Sequence, residues 1–138
     1  MKISAKGRYA VRLLVDIARS DKEYVSISEM AERQNISIKF SEQVVNKLIK
    51  NKLLISMRGS NGGYKLIKEP KDYSIKEILE VFNDTANFST CNHANCPLID
   101  KCDTVGCWAT LKNIINDYLQ SISLQDLIDK TYNVAYKK

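Results

Sequence analysis

All four cysteines of the 138-residue chain fall in one window, as Cys91, Cys96, Cys102 and Cys107, spaced C-x4-C-x5-C-x4-C. Cysteines placed by core packing would be scattered along the chain, so this clustering marks a built site. The surrounding stretch, residues 83–106, is 24 residues rich in Thr, Asn, Asp, Ser, Pro and Gly and lacks helical or strand periodicity. Loops beyond about 12–15 residues are uncommon in compact domains unless they are functional or disordered. Four soft thiolates holding a metal ion or an iron–sulfur cluster would order such a loop. Free or disulfide-paired thiols in an unordered loop are the plain alternative.

The charge is unevenly divided. Residues 1–70 hold 14 Lys/Arg against 7 Asp/Glu, whereas residues 71–138 hold 7 against 9. A basic front half suits a polyanionic partner, most simply nucleic acid. The opening residues hold Lys2, Lys6 and Arg8 and no apolar run of the kind a signal peptide needs. No stretch approaches the roughly 18–20 apolar residues of a membrane span. The expectation is therefore a cytoplasmic protein, in which thiols stay reduced and clustered cysteines serve as ligands or redox sensors.

Three helices precede a hairpin in the front half. Ala10, Leu13, Leu14, Ile17 and Ala18 set one apolar face for a helix over Arg8–Arg19. Ser26-Ile27-Ser28-Glu29 reads as a capping box opening a helix through Gln34, and Ser37 as the N-cap of another that runs to about Asn51. The last two, joined by a tight polar turn, have the arithmetic of a helix-turn-helix. In that arrangement Lys39, Ser41, Glu42 and Gln43 would face base edges. The alternative is an ordinary solvated helix face. Next comes an alternating pair of segments around Leu53–Met57 and Tyr64–Ile67, joined by Arg58-Gly59-Ser60-Asn61-Gly62-Gly63. A glycine-rich hairpin carrying an arginine, placed after a helix-turn-helix, is a wing suited to the narrow minor groove. A P-loop would need a strand-to-helix context and a Gly-Lys-Ser/Thr ending, and neither is present.

The rear half begins at Pro70. Ser74-Ile75-Lys76-Glu77 reads as a second capping box for a helix bearing Ile75, Ile78, Leu79 and Phe82. Beyond the cysteines, Trp108, Leu111, Ile115, Tyr118 and Ile122 are spaced 3, 4, 3 and 4. This two-heptad a/d stripe has little remaining chain to cover it, which favours a homodimer interface over a core face. A last helix with Leu124, Leu127 and Ile128 is placed to clasp the partner subunit. The fold expected is mainly α with a small β-hairpin: a winged helix-turn-helix over 1–70, then the cysteine loop and dimerisation helices over 71–138. Two such wings in one dimer would read a two-fold-related site. With one histidine and no recognisable catalytic constellation, an enzyme is not expected.

The opening Met1-Lys2-Ile3-Ser4-Ala5-Lys6-Gly7-Arg8-Tyr9-Ala10-Val11, Ser41-Glu42-Gln43, the wing from Arg58-Gly59 to Gly62-Gly63-Tyr64, the cysteines ahead of Trp108 and the closing Ser123-Leu124-Gln125-Asp126-Leu127 together carry a likeness. On these residues the chain resembles the IscR/NsrR/CymR type of bacterial winged-helix regulators, the Rrf2 family, and is closest to the cluster-binding IscR-like members. The resemblance implies a dimeric regulator of transcription that binds a double-stranded DNA operator. It also implies a long dimerisation helix and an iron–sulfur cluster in the cysteine loop.

Carried over by position, Cys91, Cys96 and Cys102 match the three cysteine ligands of the cluster-binding members. The first spacing is one residue shorter than the family's usual x5. The family's histidine ligand falls on Val105, and the aspartate of another branch falls on or near Arg8. Cys107 and His93 are the candidates for the fourth ligand, and two-iron and four-iron clusters both remain open. Candidate phosphate contacts are Lys2, Lys6, Arg8, Arg12, Lys39 and Lys47, with Arg58, Gly59, Ser60 and Asn61 at the wing. Rival readings are a regulator with structural zinc or without metal, an iron–sulfur assembly or electron-transfer protein, and a family member answering to a protein partner.

Overall fold

The structure is a computed structural model, described over residues 2–84 and 95–132. Cys91 and His93 lie outside the described residues. Helix α1 spans Ala5–Arg19, α2 Ile27–Gln34 and α3 Ile38–Lys50. Strands β1 (Leu54–Met57) and β2 (Gly63–Leu66) follow, then a 3-10 turn at Pro70–Asp72 and helix α4 (Ile75–Glu80). A second 3-10 turn at Ile99–Lys101 leads to α5 (Val105–Ser121) and α6 (Leu124–Asp129).

The local signals account for most of these boundaries. Ser26 Oγ accepts from the Glu29 N–H at 3.3 Å while the Glu29 carboxylate accepts from the Ser26 N–H at 3.1 Å, completing the capping box that opens α2. Asn35, at φ 53°, closes α2, and Ser37 accepts from the Phe40 N–H to open α3. Helix α1 begins at Ala5 rather than Arg8, because Ser4 is its cap and accepts from the Gly7 N–H at 3.0 Å. The box expected at Ser74 is half formed. Ser74 Oγ accepts from the Glu77 N–H, but the Glu77 carboxylate turns to Lys68 Nζ at 2.8 Å.

The hairpin is antiparallel, with Leu54 opposite Leu66 and Met57 opposite Gly63. It is tied to the α1–α2 connection by two backbone bonds, Val25 N–H to Tyr64 at 2.9 Å and Tyr64 N–H to Val25 at 2.8 Å. Gly63 stands beside this bridge at φ +151°, where a Cβ would lie 2.4 Å from the Val25 carbonyl oxygen, so only glycine fits.

The core is formed by the inner faces of α1–α4 with Val25, Leu53, Leu54, Tyr73 and Leu124. Fully buried Tyr73 donates its hydroxyl to the Leu53 carbonyl at 2.8 Å and accepts from the Ile67 and Lys68 N–H groups, joining the hairpin to the rear of the chain. The C-terminal part returns to the same place: the Ile75 N–H donates to Ile122 and the Leu124 N–H to Tyr73.

One expectation is corrected here. Leu124 is fully buried in the chain's own core and does not reach out to clasp a partner. Ile122 is the residue after α5 and is half-buried, with part of its side chain packed against that core. Among the described residues, α5 has no buried side chain over its 17 residues. Trp108, Leu111, Ile114 and Tyr118 are all exposed, Ile114 the most at 60%. Ile115, chosen from heptad spacing, is half-buried, and Ile114 takes the outer position instead.

Candidate nucleic-acid interface and cysteine segment

The helix-turn-helix is braced against α1. Arg33 on α2 forms a two-pronged ion pair with Asp16 on α1, at 2.9 and 2.8 Å. Its guanidinium is held above the ordinary arginine range, first by that hydrogen bond. Arg12, a candidate phosphate contact from sequence, lies over the Tyr9 ring at 4.7 Å and donates to Gln34 at 2.9 Å. Tyr9 in turn meets Phe40 edge-on at 5.5 Å. These contacts fix α3 relative to α1 and α2.

On the outer face of α3, Lys39, Glu42, Gln43 and Lys47 are exposed, as the sequence pattern implies. Ser41 is not. It is fully buried, and its hydroxyl donates to the Ser37 carbonyl at 2.9 Å, so it supports the first turn of α3 rather than facing a base. The 3.6-residue period explains the correction, since position 41 falls on the same side as Val44, Val45 and Leu48. Extending the exposed side by that period reaches Asn46 and Lys50, and Ile38 stands at the leading end, 48% exposed. These three were missed by reading only the first turn.

Lys2, Lys6 and Arg8 are exposed around the start of α1, and Arg58, Gly59, Ser60 and Asn61 are exposed at the wing tip. The basic residues thus sit at the start of α1, on the outer face of α3 and at the wing tip. Such a surface can hold phosphates from α1 and the wing while α3 presents amide, carboxylate and ammonium groups to base edges.

The cysteine segment leads into α5. Two consecutive turns, Ile99 N–H to Cys96 and Cys102 N–H to Ile99, place Cys96 and Cys102 at either end of the 3-10 turn. Cys102 is half-buried, and its sulfur lies 3.5 Å from Thr104 Oγ1. Hydrogen bonding from the Thr104 side chain, then from the Thr104 and Val105 backbone N–H groups, lowers its pKa and favours the thiolate, the form that binds metal. Cys107 is exposed and is the third residue of α5, so the helix begins ahead of this cysteine rather than after it. The soft donors at Cys96, Cys102 and Cys107 fit an iron–sulfur or other thiophilic centre. Among the described residues, no three His, Cys, Asp or Glu side chains gather into one group. Nor is any described helix long and apolar enough to cross a membrane.

A three-helix unit with a hairpin wing and a basic outer face defines a winged-helix DNA-binding regulator. Residues 3–130 match the Rrf2 family model, described as an iron-dependent transcriptional regulator, and the chain belongs to that family. The chain is 34% identical over 131 residues to the transcriptional regulator IscR of Photorhabdus laumondii, covering 94% of this chain and 80% of IscR. Its fold is similar to that of CymR, the global cysteine regulator of B. subtilis, with TM-score 0.79 and 27% identity over 96% of this chain and 99% of CymR. It is also similar to T. potens IscR, with TM-score 0.74 and 30% identity over 100% of this chain and 93% of that one. These relatives are transcriptional regulators rather than enzymes.

Proposed function

We propose that the chain is a cytoplasmic, homodimeric regulator whose affinity for a double-stranded DNA operator is set by an iron–sulfur cluster. The observation that carries this reading is the placement of Cys96, Cys102 and Cys107 at the threshold of α5, with the Cys102 thiolate favoured by its Thr104 and Val105 neighbours. Relatives named IscR support it. Cys91, Cys96 and Cys102 would hold the cluster, with Cys107 or His93 as the fourth ligand. When bound, the cluster supplies a redox- and iron-sensitive tie between the segment and α5. The proposed DNA-binding unit is 1–70. It would grip phosphates through Lys2, Lys6, Arg8, Lys39 and Lys47 and read bases through Glu42 and Gln43, with Arg58, Gly59, Ser60 and Asn61 at the minor groove. Residues 71–138 would carry the cluster and the dimer contact, through Trp108, Leu111, Tyr118 and the Ile114–Ile115 edge.

To change operator affinity 100-fold, the cluster need favour one arrangement of the wings by about 2.7 kcal/mol, an ordinary allosteric coupling. The test is fluorescence anisotropy on a duplex that the protein itself selects from a random-sequence pool, with cluster reconstituted anaerobically and then chelated. A large change in affinity is expected between the two forms, and equal affinity would overturn the reading. Arg58→Ala should weaken binding several-fold at physiological salt, and unchanged affinity would remove the wing from the interface.

A second reading keeps the DNA-binding role without the cluster, under control of thiol state, a structural zinc or a protein partner. The likeness to CymR, named a cysteine regulator, favours it. The pairs Cys91/Cys96 and Cys102/Cys107, both C-x4-C, lie at the wide end of the spacing that structural zinc sites use.

A further inference from the structure

Helix α3 opens on an apolar residue that the core does not use. Ile38 is its first residue and is 48% exposed, whereas every other large apolar side chain of α1, α2 and α3 is buried or half-buried. Its apolar neighbours Ile36 and Phe40 pack against the core, so anchoring this end of α3 does not call on Ile38. A single exposed apolar residue is ordinary on a protein surface. This one is set apart by where it stands. The N-terminal residues of the second helix of a helix-turn-helix are the ones that reach base edges. Ile38 lies next to Lys39 and one turn ahead of Glu42 on the same side of the helix, and all three are exposed. The backbone beneath them is fixed. Ser37 Oγ accepts from the Phe40 N–H at 3.0 Å, and the Ser37 carbonyl accepts from the Ser41 N–H at 3.0 Å and the Ser41 hydroxyl at 2.9 Å. In the major groove the base edges present donors, acceptors and one apolar group, the C5 methyl of thymine. Lys39, Glu42 and Gln43 can pair with the donors and acceptors. An aliphatic side chain matches only the methyl.

We propose that Ile38 is a specificity-determining residue that packs on the C5 methyl of an operator thymine and so fixes a T·A pair at that position. The inference rests on the reading of α3 as the base-reading helix and is independent of the cluster. Truncating Ile38 removes sequence preference at one base pair, whereas removing a phosphate contact such as Lys2 weakens binding to all sequences alike.

The test uses the full chain, wild type and Ile38→Ala, in whichever of the cluster-loaded and chelated forms binds DNA more tightly. Affinity is measured by fluorescence anisotropy on the duplex that wild type selects, with each thymine replaced in turn by deoxyuridine, which deletes only the methyl. In wild type one such replacement is expected to weaken binding about four-fold, the worth of one methyl group taken out of an apolar contact. In Ile38→Ala the same replacement is expected to leave affinity unchanged, and selection repeated with this variant should no longer fix thymine there. A wild type indifferent to every deoxyuridine, or a methyl effect undiminished in Ile38→Ala, overturns this inference and leaves the DNA-binding reading standing. A wild type that selects no sequence overturns both. Should Ile38→Ala fail to fold, Ile38→Gln takes its place, and the same loss or persistence of the methyl effect decides.

Discussion

The helices before the cysteines and the helix after them use apolar residues in opposite ways. In α1 the apolar positions Ala10, Leu13, Leu14 and Ile17 are all buried, and α3 buries Val44, Val45 and Leu48. In α5 Trp108, Leu111, Ile114 and Tyr118 stay in solvent contact, although the helix is the longest among the described residues. The first region buries most of its helical apolar positions in its own fold. The second holds an apolar stripe that the described residues of this chain do not cover, as a helix does when it is half of an interface. The contrast separates the residues that keep the fold together from those that the proposed dimer would cover.

The sharpest way to break this contrast is a pair of truncations. Leu14→Ala should cost about 2–5 kcal/mol, because a fully buried leucine leaves a cavity. Ile114→Ala should leave the monomer within about 0.5 kcal/mol. Urea unfolding of the two variants checks this, and similar losses would mean that α5 belongs to the monomer core. Placing a charge on the stripe, as in Ile114→Glu, should shift sedimentation from dimer to monomer. A wild type that sediments as a monomer would remove the interface altogether.

A smaller effect probes the seam between the regions. Tyr73→Phe deletes a buried hydroxyl that serves one carbonyl and two N–H groups, and stranding such partners costs about 1–3 kcal/mol. The loss should appear in the unfolding midpoint, and no shift would mean that the three groups find other partners.

The smallest effect is a pH dependence in the front region. Glu29 is held down to about 2, first by the hydrogen bond from Lys22 and then by the Ser26 backbone and side chain. A depressed carboxyl stabilises the fold above its usual value of 4.5 and loses that contribution as pH falls toward 2. Melting followed over that window should show a shallower acid decline in Glu29→Gln than in wild type. Parallel declines would show that the solvent-exposed Lys22 contact contributes nothing measurable.

Much of the front region was legible from sequence, because its signals are local. Ser26 with Glu29, Ser37 before α3, and the Arg58–Gly63 turn each act within a few residues, and the structure places α2, α3 and the hairpin accordingly. The start of α1 was not legible. Its cap rests on Asp84, 80 residues away, and no periodicity announces that contact. Ser41 was misplaced for a different reason: polarity suggested the surface, whereas its hydroxyl is satisfied within the helix and can be buried without penalty.

In the rear region the heptad pattern found the stripe on α5 but could not say which residues the chain itself would cover. Leu124 went to the core, Ile122 lies half-buried against it, and Ile114 is on the outside. The cysteine pattern located a candidate centre without fixing its fourth ligand, since spacing along a loop does not determine distance in space.

The most direct measurement is visible absorption with iron, sulfide and zinc analysis on protein purified without oxygen, together with Cys91→Ala, Cys107→Ala and His93→Ala. A brown protein containing iron and sulfide is expected, bleached by loss of Cys91. Bleaching by Cys107→Ala or by His93→Ala then identifies the fourth ligand. A colourless protein with stoichiometric zinc, or with no metal at all, would contradict the cluster and leave a DNA-binding regulator governed by other means.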